Sequence, residues 1–582
     1  RVLLVGIAQP YGKQLQLIHP EIHRLSNDVE DRGLRAIVPI YPSIERISQR
    51  QCRELIADAV VRFGDQVSDP LPDSIRQEFM LPLLSSCLKA AHLASGESVE
   101  EAERSLRLAR WRLLLDRLVV RRLSQRITDR ARQGEFSQRF IERTLVKRFL
   151  ERLEFQLTVS QEKVLQELLN DLASNRPMQR LLQGDVGCGK TVVMLAASCA
   201  VIEGGAQVAL MAPTEILAEQ HFQSAVSRLV PLGVRSTLIT ASMTADERRC
   251  RIAQCRSGDV QLIIGTHALL QSAVEFRQLG LVIVDEQHRF GVRQRLKLRE
   301  KGDQTAHMLV VSATPIPRTL AMTLYADLDI SVIAELPAGR KPILTHWITE
   351  TDREELMTAL SAVVIRGEQA YVVLPLASES EKLDLKNARI EAERLSGLLA
   401  PTRVALLTGK MPAAEKARVM AGFRSGKLAV LVATTVVEIG LDVPNATMMV
   451  IEHAERFGLS TLHQLRGRVG RGDKPGRCWL IAGRDLSPEA TCRLEAMVET
   501  NDGFTIAEKD LLIRGHGDLW GTQQSGTADL VWLLQDPQLF DLAGQIAEMI
   551  VRTIPTILEE PPPLWKQMFD LFMEKGDLAG TG

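Results

Sequence analysis

The stretch Gly184-Asp185-Val186-Gly187-Cys188-Gly189-Lys190-Thr191 is a complete G-x-x-x-x-G-K-T loop. Leu181-Leu182 before it and the helical run 192–201 after it supply the strand–loop–helix setting that the motif requires. Gly184, Gly187 and Gly189 let backbone N–H groups close around phosphate oxygens, and the start of the helix adds positive potential. In this setting Lys190 would reach the β- and γ-phosphates of a nucleotide, and the Thr191 hydroxyl would ligate Mg²⁺.

Outward from the loop, apolar runs recur at residues 180–183, 208–212, 262–264, 281–284 and 308–311, separated mostly by helical stretches. That alternation predicts a parallel α/β sheet. A second set follows at 370–374, 404–407, 430–432, 448–451 and 478–481. Between the sets, Leu336-Pro337-Ala338-Gly339-Arg340-Lys341-Pro342 has the Pro and Gly content of a linker. Two α/β domains in tandem are therefore expected.

Asp285-Glu286 follows the apolar run 281–284, which places Asp285 at the carboxyl end of a buried strand. There it could hold Mg²⁺, while Glu286 could orient or deprotonate an attacking water. The second set carries Gln464-Leu465-Arg466-Gly467-Arg468-Val469-Gly470-Arg471-Gly472, which offers little for a core to bury. Arg468 and Arg471 could reach across a cleft to the γ-phosphate of a nucleotide on the first domain, making hydrolysis depend on domain closure.

The flanks read differently. Residues 1–40 alternate weakly and contain Gly6, Pro10, Gly12 and Pro20, which suits short strands joined by turns. From Ser48 the spacing turns helical, with Leu106, Trp111, Leu114, Leu118 and Val119 on one face. Residues 104–152 hold fifteen Arg or Lys against five Asp or Glu, either a solvated helical face or a surface lying against phosphates. Globally, 71 basic against 72 acidic residues leave no net basic field. The eight cysteines include no C-x-x-C pair, so reduced thiols are expected and no cysteine metal site is. No run approaches the roughly 18 apolar residues of a membrane span, and residues 1–6 lack a signal-peptide layout. A cytoplasmic setting is expected.

With these motifs in place the chain resembles superfamily two helicases and, within them, the RecG family of branched-DNA helicases, over nearly its whole length. Segment 155–161 (FQLTVSQ) resembles the adenine-sensing motif, with Phe155 against the nucleotide and Gln161 reading the base. Ala212-Pro213-Thr214-Glu215 and Gly265-Thr266-His267 resemble segments that touch the DNA backbone. Ser312-Ala313-Thr314-Pro315 resembles the motif coupling hydrolysis to domain movement, a role the resemblance also gives Gln464. Segment 433–442 is similar to the motif contacting both ligands, with Thr434 and Thr435 toward DNA and Gly440 and Asp442 toward nucleotide. The extended runs 285–292 and 312–324 match RecG in particular.

Segment 503–526 resembles the TRG motif, a helical hairpin and loop that turns ATP-driven closure into pulling on duplex DNA; Arg514 and Gln524 would serve that coupling. It departs from the family at His516, Asp518 and Gln523, where proline, glutamate and arginine are usual. The family also carries an N-terminal OB-like wedge that splits strands at a junction. Residues 1–25, with His19-Pro20-Glu21, resemble only its closing strands, so either a fragment or a reduced wedge is expected.

The resemblance implies an α/β architecture of two RecA-like motor domains. The divisions expected are 1–40 as the end of the wedge, 41–154 as a helical linker, 155–336 and 337–500 as motor domains, and 501–582 as the TRG and C-terminal helical segment. It implies ATP and Mg²⁺ as cofactors and branched or duplex DNA as partner, with no membrane. A monomer is expected because nothing in the sequence resembles a dimerisation stripe, and single-strand DNA-binding protein and replication–repair factors are expected as partners. The activity implied is ATP-driven helicase and translocase work on stalled forks, Holliday junctions and displacement loops. Three alternatives compete. A transcription–repair coupling translocase lacks room for its polymerase-binding module before Phe155. A non-enzymatic DNA scaffold is opposed by intact Lys190, Asp285, Glu286, Arg468 and Arg471. An RNA helicase is disfavoured by the extended motifs.

Overall fold

Two extended strands open the chain, β1 (Val2–Tyr11) and β2 (Gln14–Arg24), paired antiparallel from Val2 opposite Arg24 to Tyr11 opposite Gln14. The register shifts between Val5 and Ile7. The structure, a computed structural model, describes residues 2–11, 14–24, 39–42, 44, 47–93, 99–131, 137–286, 301, 306–312, 315, 328–337, 340–375, 381–401, 403–409, 411–434, 443–472, 474–517, 536 and 538–567.

The helical spacing that begins at Ser48 folds as α1 (Gln49–Phe63), α2 (Asp73–Glu78), α3 (Leu84–Leu93) and α4 (Val99–Ala131). Ser48 caps α1 reciprocally with Gln51, each side chain satisfying a backbone N–H of the other. The chain forms two compact units, one of residues 1–123 with 538–568, the other of residues 124–537 with 569–582.

In the first unit the basic run does not lie wholly on a surface. Arg112 is 0% exposed, donating to Asp69 at 2.7 Å, to Asp116 at 2.9 Å and to the Pro82 carbonyl. Asp69 in turn accepts from the N–H groups of Leu71 and Leu84, so the ion cluster holds the entry to α3. Desolvation of a guanidinium is tolerable only with such partners. The expectation of a phosphate-facing stripe is corrected for this residue. Arg139 and Arg143, in the second unit, donate to the carbonyls of Ala173, Phe140, Glu142 and Leu169.

The second unit begins with α5 (Thr144–Glu151) and α6 (Val159–Ala173). Its first sheet is β3 (Gln179–Gly184), β4 (Gln207–Met211), β5 (Ser236–Ile239), β6 (Leu262–Gly265), β7 (Leu279–Val284), β8 (His307–Ser312) and β9 (Asp329–Ile333). The strands are all parallel, in the order β5-β6-β4-β7-β8-β3-β9. Helices α7 (Lys190–Glu203), α8 (Glu215–Leu229) and α9 (Ala245–Ser257) fill crossovers. Residues 192–201 of α7 are all buried, which is why its sequence lacks a polar stripe.

A second parallel sheet orders its strands β10-β15-β14-β11-β13-β12. These are β10 (Leu344–Thr349), β11 (Gln369–Val373), β12 (Val404–Leu407), β13 (Val430–Ala433), β14 (Ala446–Ile451) and β15 (Arg477–Ala482). Its helices are α10 (Arg353–Ile365), α11 (Glu381–Leu398), α12 (Ala413–Arg424), α13 (Leu459–Arg466) and α14 (Pro488–Glu499). After them come α15 (Gly503–Gly517) and α16 (Gln538–Thr553). Ile216 of α8 packs against the core of the second sheet, so the two sheets meet through apolar contact as well as through the site below. Among the described residues no helix is long and apolar enough to cross a membrane.

Candidate functional site

The loop between β3 and α7 is built around its glycines. A Cβ on Gly184 would strike Cys188 Sγ; on Gly187 (φ 79°) it would strike the Arg340 guanidinium; on Gly189 (φ 86°) it would strike the Gln161 amide. At Gly187 and Gly189 the close approach comes with left-handed backbone, a pairing that only glycine fits. Lys190 is buried, its Nζ donating to the carbonyls of Gly184 at 2.7 Å and Asp185 at 2.9 Å. Cys188 lies beneath the loop, and burial pushes its thiol up from the ordinary value.

Gln161 is engaged twice. Its Oε1 accepts from Thr158 N at 2.9 Å, closing a capping box at the start of α6, and its Nε2 donates to the Cys188 carbonyl at 2.7 Å. Phe155 is half exposed beside an open groove with Lys147, Leu150, Leu157 and Leu165. The structure thus brings Gln161 to the loop, while Phe155 lines the separate groove.

Asp285 stands one residue past β7, with its N–H on the Met211 carbonyl. Its Oδ2 meets His221 Nε2 of α8 at 2.8 Å and its Oδ1 accepts from Glu286 N at 3.0 Å. Burial pushes this carboxyl up; His221, the charge of Lys190 and the Glu286 N–H outweigh it and hold the group below its ordinary value. Glu286 adopts left-handed backbone (φ 52°), which a non-glycine residue holds only at some cost. Among the described residues no three His, Cys, Asp or Glu side chains cluster to hold a metal unaided. The Thr191 hydroxyl and the ionised Asp285 are hard oxygen donors, a set that fits Mg²⁺, which takes few protein oxygens and leaves the rest to phosphates and water.

The second sheet presents α13 to this loop. His463 Nε2 meets Asp185 Oδ1 at 2.5 Å, and the Gly503 N–H at the start of α15 donates to Asp185 Oδ2 at 3.2 Å. Arg340, from the segment between the sheets, donates to the Val186 carbonyl and, at 3.4 Å, to the Gly467 carbonyl. Arg468 is buried just past α13, and Arg471 Nε donates to the Gly467 carbonyl at 3.1 Å. Burial pushes the Asp185 carboxyl up, but His463, the Val186 N–H and Lys190 bring it below its ordinary value.

The residues expected at DNA divide. Pro213, Thr214 and His267 reach the surface at least in part, with the Thr214 hydroxyl capping α8. Thr266 and Thr434 are buried, 2% and 0% exposed, each directly following a buried strand. Gly265 has a packing reason of its own, since a Cβ there would strike the Ile239 carbonyl. Ser312 ends β8 and is buried, while Gln464 is half-buried on α13. Ala313, Thr314, Thr435, Gly440, Asp442 and Gln524 lie outside the described residues, as do Asp518 and Gln523. Arg514 and His516 fall in α15, their side chains outside the description.

Sequence reasoning missed His221, Asp185, His463, Arg340 and Gly503. For His463 the one signal was its place directly before the Arg- and Gly-rich run.

Three family models match the chain in order. They are DEAD/DEAH box helicase over residues 158–323, helicase conserved C-terminal domain over 354–473, and ATP-dependent DNA helicase RecG, domain 3, C-terminal, over 500–579. An ATP-dependent DNA helicase RecG of Synechocystis sp. is 43% identical over 564 residues, spanning 96% of this chain and 67% of the relative. That of Escherichia coli (strain K12) is 42% identical over 577 residues, spanning 97% and 83%. A solved structure of RecG bound to a three-way DNA junction is similar at a TM-score of 0.67 and 36% identity, covering 93% of this chain and 70% of that one.

Proposed function

The chain belongs to the RecG family of ATP-dependent DNA helicases, and we propose that ATP hydrolysis between its two parallel sheets drives it along duplex DNA to remodel branches. The observation that carries this reading is the direct meeting of the phosphate loop with α13, Asp185 on His463 at 2.5 Å. A hydrolysis site assembled from both sheets couples bond cleavage to their closure.

Lys190 exchanges its two loop carbonyls for β- and γ-phosphate oxygens, which the surrounding glycine amides also bind. Mg²⁺, held by Thr191 and Asp285, supplies charge neutralisation when bound. Asp285 is kept ionised and oriented for that by His221. Glu286 orients the attacking water and takes its proton. Arg468 and Arg471 meet the charge that develops on the γ-phosphate, a contribution of about 10³ to 10⁵ in rate where such fingers act. Phe155 and Gln161 hold the base, with Gly440 and Asp442 on the nucleotide's second side.

Pro213, Thr214, Gly265, Thr266, His267, Thr434 and Thr435 follow the DNA backbone, so binding is sequence-tolerant and salt-sensitive. Burial of Thr266 and Thr434 requires that their segments open when DNA enters. Ser312, Ala313, Thr314, Gln464, Arg514 and Gln524 carry closure to the DNA. In domain terms, 155–336 and 337–500 are the motors, 1–40 the end of the wedge, 41–154 its helical linker and 501–582 the TRG segment. The working form is a single cytoplasmic chain, delivered to forks by single-strand DNA-binding protein and replication–repair factors. The substrates are stalled forks, Holliday junctions and displacement loops, remodelled by fork regression and branch migration.

Steady-state ATPase with no DNA, single strands, blunt duplex and a forked junction tests this, beside Lys190→Ala. Fork stimulation that vanishes in the variant is expected. ATP hydrolysis indifferent to every DNA would sink the proposal.

A further inference from the structure

The carboxylate of Asp185 has no task in the phosphate chemistry above, yet it sits in the loop that performs it. Its Oδ1 takes the His463 Nε2 contact at 2.5 Å and the Val186 N–H at 2.6 Å; its Oδ2 takes the Gly503 N–H at 3.2 Å. Behind the imidazole, Arg466 Nη2 lies 3.0 Å from His463 Nδ1, and Arg466 Nη1 donates to the carbonyls of Met497 and Thr500, each at 2.8 Å. A guanidinium can only donate, so Nδ1 must be the acceptor and Nε2 must carry the hydrogen aimed at Asp185. The direction of every bond in the line is thereby fixed.

Gly503 is wedged at the same point. A Cβ there would lie 2.6 Å from Pro315 Cγ, 2.7 Å from His463 Nε2 and 2.9 Å from Asp185 Cγ. The phosphate loop, the proline after β8, helix α13 and the first residue of α15 therefore converge on one carboxylate. Lys190 touches the same residue from the other side, through the Asp185 carbonyl. When Lys190 leaves that carbonyl for phosphate, the backbone that carries the carboxylate changes partners. The start of α15 is hydrogen-bonded to that carboxylate.

We infer that Asp185 and His463 are positioning residues that pass the state of the phosphate loop to α15, and so set how much DNA movement each hydrolysis yields. This rests on the motor reading proposed above. His463→Phe keeps a flat ring in the α13 site and removes both hydrogen bonds while leaving every loop residue in place. Asp185→Asn is the second variant, because one amide cannot accept on both of the oxygens now in use.

The experiment measures, for wild type and both variants, the KM for ATP, fork-stimulated ATPase, and junction strands separated per ATP consumed. Coupling energies between sites suggest a loss of about tenfold in strands separated per ATP, with KM within about threefold of wild type. A raised KM with unchanged yield per ATP would mean the pair only shapes the loop, and overturns the inference. Unchanged values in both variants overturn it as well. Wild type without fork-stimulated ATPase is a different result: it sinks the motor reading itself, and the inference with it.

Discussion

Among the described residues two arginines, Arg112 and Arg466, are almost wholly removed from water, and they are kept there by opposite means. Arg112, in the helical unit, is 0% exposed between Asp69 and Asp116. Arg466, in α13, is 1% exposed, and its partners are two carbonyls and an imidazole, with no carboxylate in contact among the described residues. The fields differ accordingly. Burial lowers the Arg112 guanidinium but Asp116 and Asp69 more than restore it, whereas burial leaves Arg466 below its ordinary value. Asp185, on the phosphate loop, acts on Arg466 from one imidazole away. A cation neutralised on the spot serves as a staple. One neutralised at a distance, across two sheets, is sensitive to whether those sheets are together.

The largest expected effect breaks the staple. Arg112→Met strands two buried carboxylates and should cost about 3–5 kcal/mol, read as lost hydrogen-exchange protection in α3 and α4. Replacing all three charges with apolar groups of matched volume should return most of that loss. Arg466→Met removes a cation without stranding an adjacent anion. It leaves the Met497 and Thr500 carbonyls and His463 Nδ1 without their donors, for about 1–3 kcal/mol in the protection of α13 and α14. Equal losses at the two sites would erase the distinction.

Acid should separate the sites by sign, with effects of order 1 kcal/mol. Burial raises Asp116 to about 6 despite Arg112. The folded unit therefore gains a proton before the unfolded chain does, and its stability rises as pH falls from about 6 to about 4. Asp185 is shifted the other way, so its contribution is complete above about pH 4 and is lost as pH falls further. Protection of α4 and α15 followed from pH 7 to 3 should diverge. Asp116→Asn should flatten the first curve and Asp185→Asn the second.

What could be read from sequence follows the same physics. Most central strands of both sheets are buried on both faces and announce themselves as continuous apolar runs, as at 208–211 and 281–284. The strands that escaped, β5, β9 and β10, all lie at sheet edges, where exposure interrupts the run. The phosphate loop and Asp285-Glu286 were legible because their chemistry is local and contiguous. The Asp185–His463 contact joins positions 278 apart, and neither residue type is unusual where it stands. Arg112 misled for a related reason, since a sequence counts charge without showing which charge the fold has enclosed.

Cys188 makes the loop observable. Its thiol is sealed beneath the phosphate loop, with burial keeping it protonated, while Cys250 and Cys492 stand exposed at the surface. An alkylating reagent therefore meets the two exposed thiols at rates set by the reagent, and Cys188, one of six buried thiols, only as often as the loop lifts. The protein carries its own clock for loop opening, calibrated by two internal standards, with no foreign label introduced.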